Sequence, residues 1–282
     1  DAMRLDQFMA LYPLLAENYS IQIKSSCSIL PTATPFSRNA IFSGLLPDEF
    51  CQKYPKQIEA MSIDKGSLNQ LEEEFLIGQL KSLGLNNKSL HYHKIWQVDE
   101  GQKFQSRVSQ YINYELLAIV VNFVDQLAHR RSESDVLKEM VPDEAGYRQA
   151  VKGWYENSWI RAVLTELGSA GFKVVMTSDH GSKMVNRSTM VAADKYSSTG
   201  IRYKHGRNIN ASQKSAIDIR ELNSYHLPAL GHHINYLLAK DDYYFLYPNE
   251  QRKYKNKLKG SFQHGGISME EMMVPVFIMD PK

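Results

Sequence analysis

An α/β fold, with a mostly parallel central sheet sandwiched by helices, is what this 282-residue sequence predicts, and three features predict it. Two apolar runs, Y-E-L-L-A-I-V-V-N-F (114–123) and the start of F-K-V-V-M-T-S-D-H-G (172–181), have the unbroken character of strands buried on both faces. Each run is followed closely by an acid, Asp125 or Asp179. Segments of helical periodicity separate the strand candidates, the alternation that builds a doubly covered sheet.

The elements follow in order. Met3, Phe8, Leu11 and Leu14 recur at helical spacing almost from the first residue, Asp1, so the sequence reads as a fragment whose first strand lies upstream. Residues 21–30 (I-Q-I-K-S-S-C-S-I-L) read as a strand. The segment P-T-A-T-P-F-S-R-N-A-I-F-S-G-L-L-P (31–47) is a turn opening into a helix that stops near Gly44 and Pro47. Residues 48–90 are polar and helical in character, with Leu71, Phe75, Leu80 and Leu83 on a partial apolar face, and 91–98 is a further strand. Residues 142–168 suggest one long helix carrying Trp154, Trp159, Val163 and Leu167. Residues 182–230, rich in Ser, Asn, Lys and Arg, are read as a polar cap excursion within a single domain spanning 1–282. Strands at 242–247 and 274–279 flank Q-H-G-G-I-S-M-E-E-M-M-V-P (263–275). His232 and His233, after Gly231, read as a helix end, and Met269, Met272 and Met273 as core packing.

Composition narrows the class. With 43% hydrophobic residues the chain has material for a substantial core, and 33 basic against 31 acidic residues exclude a generic nucleic-acid-binding basic protein. Two cysteines exclude a disulfide scaffold and a thiolate zinc ribbon. No apolar run approaches the roughly 20 residues of a membrane span, and signal-peptide features are absent, so the expectation is a soluble, cytoplasmic protein without membrane insertion.

The candidate chemistry sits at strand ends. Asp125 with His129, Asp179 with His180, Asp1, and His264 in a glycine-rich turn supply the carboxylate and imidazole donors that suit zinc or manganese. Ligands of open α/β sheets gather outside the carboxyl ends of the strands. Singly, each signal has a plainer reading: a structural hydrogen bond for an Asp–His pair, an N-cap for Thr34. Arg38, four residues after Thr34, falls one helical turn away on the same face and suits bidentate phosphate binding, with Asn39 as another donor to phosphate oxygen. Arg202, Tyr203, Lys204, His205 and Arg207 read as a gripping surface for a second phosphate or a base, with Tyr203 available to stack, or as a solvated loop. His91 and His93 alternate on one strand face with no acid beside them and are not read as ligands.

The ordered set of a nucleophile after a strand, D-x-x-x-H, S-D-H-G and a late H-G-G resembles the alkaline phosphatase superfamily. Within it, residues 31–47 and F-Q-H-G-G-I-S-M-E-E-M-M-V-P-V (262–276) resemble the PglZ domain, most nearly that of PorX-type response regulators of type IX secretion. The resemblance implies an alkaline-phosphatase-like core, two divalent ions (typically zinc) and phosphodiesterase activity on cyclic or linear oligonucleotides. It implies that Asp125, His129 and His264 hold one metal. Asp179, His180 and Asp1 would hold the other, with Thr34 as its remaining ligand and the nucleophile. It also implies an upstream receiver domain in the intact protein. The competing class is a regulatory module with a structural metal centre, meeting a histidine kinase, a transcription factor or a second copy of itself as a homodimer. Within the enzymes, a phosphomonoesterase or a mutase is the alternative. A sulfatase would require a Cys or Ser where Thr34 stands.

Overall fold

A computed structural model describes residues 1–56, 70–192, 197–248 and 251–282, so the middle of the helical segment expected over 48–90 lies outside the described residues. The described residues divide into two compact units, one formed by 1–27, 87–181 and 273–282, the other by 28–86 and 182–272.

The first unit opens with the helix Leu5–Leu15, which buries Gln7, Phe8, Leu11 and Leu15 at helical spacing. Gln7 Oε1 accepts the Arg4 N–H at 2.9 Å and satisfies one donor of the helix start. The strand Tyr19–Cys27 pairs antiparallel with Met273–Pro281, which also pairs antiparallel with Val174–Thr177. Strands Leu90–Ile95 and Leu116–Val121 form a parallel pair in which Ile95 faces Val121. The core gathers Phe8, Leu11, Leu15, Trp159, Val163, Leu167 and Phe277, and Phe8 meets Phe277 edge to face at 5.3 Å.

Two expectations are corrected here. The strands form several small sheets rather than one clear parallel sheet, because the C-terminal strand enters antiparallel between two strands distant from it in sequence. The long helix over 142–168 is two helices, Glu144–Asn157 and Trp159–Ser169, broken at Ser158, whose backbone is extended at φ −103° and ψ 164°. Adjacent Asn157 and Ser158 bond their own backbone readily and weaken a helix interior: the Asn157 amide donates to Gly153 O and Ser158 Oγ to Tyr155 O.

The second unit contains the helix Thr34–Ser43, closed as expected by Gly44 in the left-handed region at φ +66°. Helices Pro47–Lys53 and Glu72–Ser82 follow. Residues 182–230, read from the sequence as a polar cap excursion, carry strands Lys183–Met184, Arg187–Ala192, Tyr203–Arg207, Asn210–Ala211 and Ala216–Ile219. Strand Ile234–Ala239 lies between Tyr203–Arg207 and Ala216–Ile219, antiparallel to both. The periodicity of strand Tyr203–Arg207 is masked because Lys204 and His205 are buried in it, with Lys204 Nζ donating to Ser198 O. His232 and His233 end no helix; they lead into Ile234–Ala239, with His233 at φ +56°. Met269 is exposed rather than packed in a core. Among the described residues no helix is long and apolar enough to cross a membrane.

Leu11 is almost fully buried and Met9, on the same helix, is exposed. Leu11→Ala is expected to cost about 2–5 kcal/mol in urea unfolding, and Met9→Ala under about 0.5 kcal/mol.

Candidate functional site

In the first unit three predicted ligands converge. Strand Val174–Thr177 delivers Ser178, Asp179 and His180 at its end, and one ligand atom each from Asp1, Asp179 and His180 lie within 4.8 Å of one another. All three side chains are nearly inaccessible. Asp179 Oδ1 accepts the N–H groups of Ala2 and His180, both at 3.1 Å. Its Oδ2 stands 3.6 Å from His180 Nε2, and Asp1 Oδ1 stands 3.8 Å from the same nitrogen. These separations exceed hydrogen-bond length. They are close to the ~3.3 Å between donors that share one tetrahedral ion at about 2.0–2.1 Å.

His180 Nδ1 lies 2.9 Å from Gly181 O. An Nδ1–H donating to that carbonyl leaves the Nε2 lone pair directed at the carboxylates, the arrangement that metal-bound imidazoles show. Two enclosed carboxylates beside an imidazole nitrogen form a donor set that fits a divalent ion. The surroundings are held firmly. Ala2 sits in the left-handed region at φ +56°, a conformation costing about 1–2 kcal/mol for a residue with a Cβ. Its bond to Asp179 and that of Met3 N–H to Ser178 Oγ at 2.9 Å offset the strain. The Asp1 amine donates to Val121 O at 3.2 Å, tying it to the end of strand Leu116–Val121.

Asp125 and His129 lie one turn apart on helix Phe123–Arg131, which starts just past that strand, with Oδ1 and Nε2 3.3 Å apart. Asp125, accepting from the ring, raises the His129 imidazole above its ordinary value, and burial opposes the rise. His91 and His93 are used in packing: His91 stacks on Tyr111 at 4.3 Å and His93 lies 4.8 Å from Phe104.

In the second unit Thr34 is the first residue of its helix, half-buried, and the cap position belongs to Ala33, so its hydroxyl does not serve as the N-cap. Arg38 is buried, its Nε bonded to Glu72 at 2.6 Å, and the buried Asn39 amide donates to Pro35 O at 2.8 Å. His264 follows strand Phe262–Gln263 and opens the H-G-G turn. Thr32 Oγ1 accepts the Gly265 N–H at 3.1 Å and donates to Gly266 O at 2.8 Å. One hydroxyl two residues before Thr34 thereby holds the turn that carries His264. From its other side, Glu271 accepts the N–H groups of Gly266 and Ser268, both at 2.9 Å. The glycines are required: Gly265 has φ +109°, and a Cβ on Gly266 would fall 2.6 Å from Ala239 O.

Arg202 is fully buried and bidentate to Glu271 at 2.6 and 2.7 Å. Its guanidinium thus braces the H-G-G segment instead of facing solvent, which corrects its reading as a gripping group. Tyr203 packs edge-on against Phe36 at 5.7 Å and is buried, unavailable as an open stacking platform. Lys204 is buried as well, with Nζ donating to Ser198 O at 2.9 Å and lying over the Tyr247 ring. The buried His205 takes its N–H to Ser198 Oγ, and Arg207 alone of this set is exposed. Sequence reasoning missed Thr32 and Glu271. Their signal was faint: a threonine inside P-T-A-T-P and an acid placed seven residues after His264.

Thr32→Val leaves a buried N–H and carbonyl without this partner and should cost about 1–3 kcal/mol. Glu271→Leu strands a buried guanidinium and should cost about 3–5 kcal/mol, both read by chemical denaturation.

A comparison with known families matches residues 1–279 to PglZ, described as the BREX system PglZ alkaline phosphatase-like domain. Among solved structures, phosphonoacetate hydrolase from Sinorhizobium meliloti 1021 in complex with phosphonoformate is similar over 99% of this chain and 87% of that chain, with TM-score 0.55 and 12% identity. The same enzyme with phosphonoacetate gives TM-score 0.55 and 11% identity over the same shares. A search of curated proteins finds no match. These likenesses show an alkaline-phosphatase-like α/β fold.

Proposed function

Because this chain belongs to the PglZ family of alkaline phosphatase-like domains, we propose that it is a divalent-metal-dependent hydrolase of phosphate esters, acting on phosphodiesters such as cyclic or linear oligonucleotides. The observation that carries the reading is the buried cluster of Asp1, Asp179 and His180, which brings two carboxylates and an imidazole within 4.8 Å of one another, a donor set that suits a divalent cation. The similar structure named above is that of a hydrolase holding phosphonate ligands, which supports a phosphoryl-like anion as the group recognised.

In this reading Asp1, Asp179 and His180 hold one ion, with Thr34 as a further ligand, and Asp125, His129 and His264 are the ligands of a second, zinc or manganese. Bound divalent ions supply neutralisation of the phosphate charge and a lowered pKa for a coordinated hydroxyl. Thr34 is the nucleophile. Its Oγ forms a bond to phosphorus as the ester oxygen departs, its proton passes to solvent, and the leaving oxygen takes one up. Water then cleaves the phosphothreonine and regenerates the hydroxyl. The helix N-terminus at Thr34 favours the developing anion by only ~0.3–1 kcal/mol, a minor share. Arg38, oriented by Glu72, is the candidate phosphate-binding cation, with Asn39 beside it in sequence. The motif likeness to PorX-type regulators extends the proposal to an effector domain governed by an upstream receiver in type IX secretion.

Thr34→Val tests this directly. Release of 4-nitrophenolate from bis(4-nitrophenyl) phosphate by the zinc- or manganese-loaded protein is expected to fall to background, with folding by circular dichroism retained. Turnover equal to wild type would remove Thr34 as the nucleophile.

A further inference from the structure

Strand Val174–Thr177 runs into Ser178, a buried residue whose hydroxyl touches both chain segments that supply the cluster of Asp1, Asp179 and His180. Ser178 Oγ accepts the Met3 N–H at 2.9 Å and donates to His180 O at 2.9 Å. A hydroxyl has one proton to give. Asp179 Oδ1, at 3.4 Å, lies beyond ordinary O–H···O length, so the His180 carbonyl takes that proton. One oxygen atom thereby joins the start of the chain to the end of this strand.

Each bond bears on a ligand. Met3 is two residues from Asp1, and Ala2 between them is fully buried in the left-handed region at φ +56°. Ala2 gives its own N–H to Asp179 Oδ1, an oxygen that also accepts from His180 N–H. Ser178 takes the Met3 N–H without drawing further on a ligand oxygen. With the Asp1 amine bonded to Val121 O, the strained residue is held on both sides. Toward the other segment, the bond to His180 O fixes the peptide plane that leads into Gly181. Glycine has no Cβ to restrict it, so its conformation depends on such neighbours. Gly181 O is the group that lies 2.9 Å from His180 Nδ1, and through it the ring is oriented.

We infer that Ser178 is a positioning residue for the divalent ion assigned to Asp1, Asp179 and His180, an inference that rests on the metal reading above. Its hydroxyl sets where the segment carrying Asp1 stands against the segment carrying Asp179 and His180. A serine serving only to satisfy one backbone donor would need the Met3 bond alone. The second bond, to the backbone of a ligand residue, couples the two ligand-bearing segments through one atom. Removing a group that orients metal ligands in this way typically costs about 10–100-fold in metal affinity.

The test is the affinity for zinc, by competition with a chromophoric chelator, at the site that Asp179→Asn removes, together with the visible absorption of cobalt(II) bound in its place. Ser178→Ala is expected to weaken that site about 10–100-fold and to shift the cobalt bands, with its fold retained by circular dichroism. Ser178→Thr keeps the hydroxyl and should hold zinc within about threefold of wild type. Leu11→Ala removes core packing in the same unit and no bond to the cluster, and should also stay within about threefold. Ser178→Ala binding zinc as wild type does, while Asp179→Asn loses the site, would overturn the inference and leave the metal reading standing. A loss in Leu11→Ala or Ser178→Thr as large as that in Ser178→Ala would overturn it too, since the effect would then belong to stability or size and not to the hydroxyl. If wild type holds no zinc that Asp179→Asn removes, the metal reading falls and this inference with it.

Discussion

Two carboxylates and an imidazole enclosed at one strand end set the terms for the first unit. Removing the charges of Asp1 and Asp179 from water carries a penalty; Ala2 and His180 donate to one oxygen of Asp179, and His180 Nε2 stands 3.6 and 3.8 Å from the two acids. A positive charge at the centre would lower that penalty. The strained Ala2 and the Nδ1 contact of His180 have one common effect: they hold donor atoms in position before any ligand arrives.

The second unit solves a different problem by similar means. A turn of two glycines has little intrinsic preference for one shape. Thr32 binds the turn through its hydroxyl and Glu271 through its carboxylate, and Arg202 neutralises Glu271 in a dry setting. A buried pair of this sort is poor evidence of stability in itself, because desolvation consumes most of its attraction. Its worth here is geometric: it fixes the backbone from Gly266 to Ser268, so that one conformation of the turn is favoured.

Parts of this were legible in the sequence and parts were not, for physical reasons. The runs before Asp125 and Asp179 were readable as strands from their unbroken apolar character, although Val175 and Thr177 leave one face of the second exposed, and the Thr34–Ser43 helix was readable from its proline and its terminal Gly44. The meeting of Tyr19 with Pro281, which makes the C-terminal strand antiparallel, leaves no local trace. Ser158 breaks a helix that periodicity alone would continue. Residues 202–204 misled for another reason: Arg and Lys in a polar stretch suggest solvent, and nothing nearby announces the acid at Glu271 that permits Arg202 to be buried. Local pattern left unseen what braces the H-G-G turn, because Thr32 and Glu271 act through contacts distant in sequence or across a turn.

Metal stoichiometry by mass spectrometry after equilibrium dialysis against buffered zinc, for wild type and Asp179→Asn, addresses the central claim most directly. The account predicts one fewer divalent ion per chain in the variant, with its secondary structure unchanged. Equal stoichiometry and equal affinity in the two proteins would contradict it and leave the enclosed acids of the first unit without a cation to explain them.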